Sequence, residues 1–388
     1  MKNSSASWAA VCLLWVCGVS LRITLLAVPP VISTIQQELG LSGTQLGLLS
    51  GIPVVMFAIA ATPGSSLISR LGVRNALLIG LTVTALGGAS RALSTDVWQL
   101  YLTSIVMSAG IAIMQPAMAA AVRAWLPHRA AFGTAVYTNG LLAGEIIPVA
   151  AMLPFVLPLA GSWQTALGLW SIPLVAVAIF VMLFPSSAGA GANAAHAVHW
   201  FPELRSRLNW RIGMMLGSVS SAYFCTNGFL PAYLTGHGHP ELVSQALTAL
   251  NFGQIPASIT LLLWADKVQG KRWPYLFVGL LFVACLIEIL TTPSEWAVIW
   301  AGLIGAGCGW GLTLSLALSP LLCRHPDEVA RTSAAAFAIG YGFAMLASFC
   351  SGAAWDATGR VDAAFIPILL STLPIAILAP TLVLKSAP

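Results

Sequence analysis

Two ionisable residues stand inside long apolar runs, where a charge is costly. Arg22 follows Ser20-Leu21 in the stretch that leads to Val28-Pro29-Pro30. Glu145 lies within Gly140-Leu141-Leu142-Ala143-Gly144-Glu145-Ile146-Ile147-Pro148. An Arg at the centre of an apolar helix costs about 2.5–3.5 kcal/mol on insertion scales, so it must face a partner or a water-filled cavity. Its planar fork of N–H groups suits a small anion or a strongly dipolar solute. The competing reading is a buried ion pair with Glu145 that only locks two helices together. Glu145 has three candidate roles: charge partner of Arg22, carrier of a coupling proton, or direct contact to solute. Neutral groups in other apolar runs extend the candidate list: Gln115, Tyr137, Asn139, Tyr223, Asn227, Asn251, Gln254, Trp310 and Tyr341. A buried amide or phenol needs a hydrogen-bond partner, so each is either an interhelical bond or a solute contact. One cation with several amides and rings describes a site for a small, flat or linear polar solute.

Other chemistries find no support. The six His are placed in loops or at the ends of apolar runs, none paired at metal spacing. No phosphate-binding loop and no intramembrane Ser/His/Asp set is present, so no enzyme, cofactor or metal is expected. ATP cannot drive this chain alone.

The elements that must position these residues follow from composition. Of 388 residues, 58% are hydrophobic and only 7% charged, and the mean hydropathy is +0.88. A soluble fold of this length cannot coat its surface with so few charges, and disorder is excluded by the apolar content. Seven Cys, mostly inside apolar runs, do not form a secreted disulfide framework. The net charge of +5 does not point to nucleic acid, because the basic residues form short clusters between apolar runs.

A spanning helix needs about 20 mostly apolar residues. Twelve segments meet this: 8–33, 45–69, 75–93, 97–122, 130–158, 164–184, 211–235, 242–265, 273–292, 296–322, 329–355 and 362–384. We number them spans 1 to 12. The pattern predicts an all-α polytopic membrane protein with an N-terminal six-helix bundle (1–184), a cytoplasmic linker (185–210) and a C-terminal six-helix bundle (211–388). Of the 17 Lys and Arg, only Arg91 and Arg360 fall on the side opposite the rest, and Arg22 lies within span 1. This bias places both termini in the cytoplasm. The halves match weakly at an offset of about 202 residues: Pro53 with Pro256, Arg129 with Arg331, Gly140 with Gly342. Parallel six-helix repeats around a central cavity are a transporter architecture. Gly305, Gly307, Gly309 and Gly311 make span 10 permissive to close packing. Glu288, near a span end, reads as interfacial.

Several motifs carry a family resemblance. After span 2 the chain reads Ser65 to Ser69, then Arg70-Leu71-Gly72-Val73-Arg74; after span 8 it reads Asp266-Lys267-Val268-Gln269-Gly270-Lys271-Arg272. These resemble the basic loops of the major facilitator superfamily, with Ser69 where an Asp is usual. The resemblance implies a cytoplasmic gating role for Arg70, Gly72, Arg74, Asp266 and Lys267; holding topology is the plainer reading. Ser20-Leu21-Arg22, Gly110 to Gln115-Pro116-Ala117, Gly133 to Tyr137-Thr138, and Gly161-Ser162-Trp163 are similar to the cyanate-permease and 2-nitroimidazole-transporter branch of that superfamily. The resemblance implies a secondary transporter in a bacterial inner membrane. It would move a cyanate-like anion or a nitroheterocycle by alternating access, as a monomer in the lipid bilayer, with a coupling proton as a candidate partner. A proton-driven exporter of many drugs and a non-transporting membrane sensor are the alternatives.

Overall fold

The computed structural model describes residues 2–126, 129–183, 205–264, 268, 271–323 and 326–381. All regular structure among them is helical. Among the described residues, eight helices are long and apolar enough to cross a membrane, and two shorter apolar helices, Trp8–Ser20 and Gly43–Ile59, accompany them. Helix occupies each of the twelve predicted spans. Helices satisfy their own backbone hydrogen bonds, which is the condition for crossing hydrocarbon. Large apolar side chains left exposed, such as Leu86, Leu102, Ile179, Phe180 and Leu280, give these helices a lipid-compatible surface. Most of predicted linker 185–210 lies outside the described residues, as do Asp266 and Lys267.

The chain divides into two compact units, 1–34 with 59–198, and 35–58 with 199–388. In the first, α1 (Lys2–Ser20) ends before the predicted span does. The sequence reading made 8–33 a single helix; the structure breaks it. Residues 21–28 run as successive turns, with Leu21, Arg22, Leu25 and Val28 each donating to the carbonyl three residues earlier. Pro29 and Pro30 then open a short 3-10 turn, Pro29–Val31. Neither proline can donate an N–H, so the carbonyls one turn upstream have no helical partner there. Helix α2 (Ile32–Leu39) resumes beyond the break.

Helix α3 (Gly43–Ser90) is two helices joined at Gly72, whose φ of 79° only a glycine adopts easily. Asp96 begins α4 (Val97–Trp125) by accepting from the N–H groups of Trp98 and Gln99. Helix α5 (Ala130–Ala151) passes through Pro148 into a π turn, Met152–Val156, and then α6 (Leu157–Ala160), which Gly161 ends. Helices α7 (Trp163–Leu169) and α8 (Ile172–Leu183) complete this unit.

In the second unit α9 (Arg207–Gly236) is the central element, buried along most of its length. Helices α10 (Leu242–Phe252) and α11 (Gln254–Leu263) meet at Gly253. Helices α12 (Trp273–Thr291), α13 (Ala297–Leu322), α14 (Pro326–Thr358) and α15 (Phe365–Leu378) follow. Small residues let these backbones touch: a Cβ on Gly253 would lie 2.2 Å from the Gly302 carbonyl oxygen. In lipid such close packing replaces the hydrophobic drive that holds soluble helices together. The segment 35–58 packs within this unit. There Asp356 of α14 accepts from the N–H groups of Gly43 and Thr44, at 2.6 and 2.8 Å. Two donors at the start of α3 are thereby satisfied by a carboxylate 313 residues away in the chain.

Candidate solute-binding site

The candidate site in the first unit rests on backbone contact. A Cβ on Gly18 would lie 2.3 Å from the Tyr137 carbonyl oxygen, one on Gly140 2.2 Å from that of Trp15, and one on Gly144 2.4 Å from that of Val19. No other residue type fits at these positions without moving α1 from α5. This close approach carries Arg22 and Glu145 together. Arg22 Nε lies 3.2 Å from Glu145 Oε1. The two residues are 8% and 3% exposed. Each charge relieves the desolvation of the other, which neither could bear alone. Arg22 stands at the point where α1 gives way to turns, so the guanidinium is presented from an interrupted helix. Interrupted helices are a recurrent way of placing polar groups at membrane depth.

The other candidates of this unit are less enclosed. Tyr137 is half-buried on α5, and Gln115 is half-buried beside Pro116 on α4. Asn139 is exposed and accepts from Trp15 Nε1 at 2.9 Å.

The second unit holds a separate polar cluster. Tyr223 Oη donates to Asn251 Oδ1 at 2.6 Å, and Asn251 Nδ2 donates to Asn227 Oδ1 at 3.2 Å and to the Leu247 carbonyl at 2.8 Å. Asn227 Nδ2 donates back to the Tyr223 carbonyl at 2.9 Å. All three residues are buried, and buried Gln254 follows on the next helix. The spacing of Tyr223 and Asn227, one turn apart on α9, could have predicted their shared face. Tyr341 sits in an aromatic group, edge-on to Phe57 at 5.9 Å and stacked on Phe337 at 5.6 Å. Trp310 is elsewhere in this unit: its Nε1 donates to Thr260 at 3.1 Å, and its ring meets Phe277 and Trp273.

Of the predicted gating residues, Arg70 is exposed and Gly72 forms the turn within α3. Arg74 donates through Nε to the Val181 carbonyl at 3.1 Å and through Nη2 to that of Met182. It thus binds the C-terminal carbonyls of α8, where a cation is favoured. Sequence reasoning missed Arg91, a guanidinium more deeply buried than Arg22. Its place just before a polar loop made it look like a loop charge.

Comparison with known proteins agrees with this architecture. Residues 14–384 match the family model described as Major Facilitator Superfamily. The chain is 27% identical over 360 residues to the 2-nitroimidazole transporter of Escherichia coli K12, covering 92% of this chain and 91% of that protein. It is 24% identical over 344 residues to the cyanate transport protein CynX of the same organism, covering 88% and 89%. Among solved structures, a D-xylose-proton symporter superposes with a TM-score of 0.77 over 98% of both chains, at 13% identity.

Proposed function

The chain belongs to the Major Facilitator Superfamily, and on that premise we propose that it is a secondary transporter that moves a small polar or anionic solute by alternating access. It is a multi-pass membrane transporter and not an enzyme. The observation that carries the finer reading is Arg22, a buried guanidinium at a helix break, set against the Glu145 carboxylate. A solute anion competes with Glu145 for that guanidinium. Binding then exchanges one anionic partner for another, which avoids leaving a bare cation in the membrane. Cyanate-like anions and nitroheterocycles are the substrate classes that the two named relatives suggest. The bacterial inner membrane is the matching location. The halves of the transporter are taken as 1–184 and 211–388, with both termini cytoplasmic by the Lys/Arg bias.

In the second unit Tyr223, Asn227, Asn251 and Gln254 are the candidate solute contacts, since a network of two amides and a phenol can redirect its hydrogen bonds toward a ligand. The test is a thermal-shift screen of the purified protein against small monoanions and nitroheterocycles. A hit should stabilise the wild type and leave Arg22→Ala unmoved. A hit that stabilises both equally overturns the site assignment, and stabilisation only by large apolar drugs favours a broad exporter.

A further inference from the structure

Arg91 opens a short 3-10 turn, Arg91–Leu93, that follows α3. It is buried, and it joins no ion pair among the described residues. Its Nη1 donates to the Thr24 carbonyl at 3.0 Å, and its Nη2 to Ser104 Oγ of α4 at 3.0 Å. A buried guanidinium without a carboxylate is costly, so dipoles must compensate it. The Thr24 carbonyl suits that need. It lies in the turns after α1, and carbonyls at the end of a helix carry partial negative charge.

Pro29 is the reason this carbonyl is available. In an unbroken helix the Leu25 carbonyl would accept from residue 29, but a proline has no N–H to give. The N–H of Val28 takes that carbonyl instead, at 3.5 Å. Val28 is the residue that would serve Thr24 in a regular helix. Arg91 therefore supplies from another span the donor that the backbone withdraws, and caps the interrupted helix. Arg74 binds the last carbonyls of α8 in the same manner. Thr24 also sits inside the turn that carries Arg22. The Arg22 carbonyl accepts from the N–H groups of Leu25 and Leu26, both at 3.0 Å, so Thr24 cannot shift without moving Arg22. The brace is itself fixed. A Cβ on Gly88, one turn before Arg91, would lie 2.4 Å from Ser171 Oγ and 3.5 Å from Thr24 Cγ2, which sets α3 directly against the break. A Cβ on Gly168 of α7 would lie 2.9 Å from that of Ala92.

We propose, on the reading that Arg22 binds the solute, that Arg91 is a positioning residue for that site. Its two arms tie the turn holding Thr24 to α4, and so fix where the Arg22 guanidinium is presented. Arg91 does not touch the solute. Its effect on binding passes through Arg22, so the two residues are coupled rather than independent.

Two readouts on the purified full chain test this. The first is amide hydrogen exchange, which needs no solute. Arg91→Met removes both donors at similar volume, and exchange over residues 21–28 should quicken at least about tenfold while α9 keeps its native rate. Ser104→Ala, which frees one arm of the fork, should quicken the same residues by less, and it decides the matter if Arg91→Met fails to fold. Native exchange over 21–28 in the variant measured overturns the brace, as does an equal rise throughout the chain. The second readout is counterflow of labelled cyanate and labelled 2-nitroimidazole. Arg91→Met should raise the half-saturating concentration of a transported probe at least about tenfold, as misplacing a binding group does. In the Arg22→Lys background the same change should add less than about twofold, because the group it positions is already altered. A full further loss in that background overturns the proposal. Loss of counterflow in Arg22→Ala with a native response in Arg91→Met overturns the positioning role alone. Native counterflow in Arg22→Ala overturns the solute site and the positioning role with it.

Discussion

Arg22 can be probed through the geometry of its charge as well as the charge itself. Arg22→Lys keeps the cation but loses the planar fork, so solute affinity should fall at least about tenfold in a binding titration. Arg22→Ala should abolish binding and also destabilise the protein, because Glu145 is left buried without its cation; removing one partner of such a pair costs about 3–5 kcal/mol. The double change Arg22→Met/Glu145→Leu should recover most of that stability in detergent unfolding while binding stays lost. Recovery of binding along with stability would show that the pair is only a lock. Glu145→Gln separates the remaining roles. A charge partner leaves pH-driven flux intact in this variant; a coupling site loses pH-driven flux yet retains substrate exchange, because an amide carries no proton. At this scale the sequence was informative where an ionisable residue sat far from any span end, as Arg22 and Glu145 do. It was silent on Arg91, whose burial comes from helices that approach it from elsewhere in the chain.

Close helix contact is what brings two charges distant in sequence together as an ion pair. Gly140 and Gly342 align in the internal repeat, but their surroundings differ. A Cβ on Gly140 meets the Trp15 carbonyl at 2.2 Å, whereas one on Gly342 meets nothing within 4 Å. Gly140→Ala should therefore destabilise by about 1–3 kcal/mol and weaken solute binding by displacing α1 from α5. Gly342→Ala should leave thermal unfolding unchanged or slightly raised. Equal effects at the two positions would contradict the packing described. The start of α3 depends in the same way on one side chain. Asp356→Ala removes the acceptor for Gly43 and Thr44 and should cost about 1 kcal/mol in unfolding, with Asp356→Asn milder. Helix existence and approximate limits were readable from apolar run lengths. The break at residues 21–28 was not, because those residues are as apolar as the helix around them. Pro29-Pro30 was the available signal, and its reach back to Leu25 follows because neither ring can donate the helical bond to the carbonyls of Leu25 and Leu26.

For the molecule as a whole, composition settles the class before any motif is read: 7% charge over 388 residues leaves only a membrane solution. The internal offset and the short motifs then narrowed that class to a family, which the match over residues 14–384 supports. Substrate is the part least legible, because it depends on how a few polar groups are arranged rather than on which are present. Tyr223, Asn227 and Asn251 form one network, while Trp310, equally prominent in sequence, joins a different aromatic group. The central claim is that this transporter holds its solute at Arg22. Counterflow in proteoliposomes tests it most directly, with labelled cyanate and labelled 2-nitroimidazole as probes and no ion gradient imposed. The account predicts saturable counterflow of at least one probe by the wild-type protein and none by Arg22→Ala reconstituted at the same density. Equal counterflow by the two proteins would contradict it.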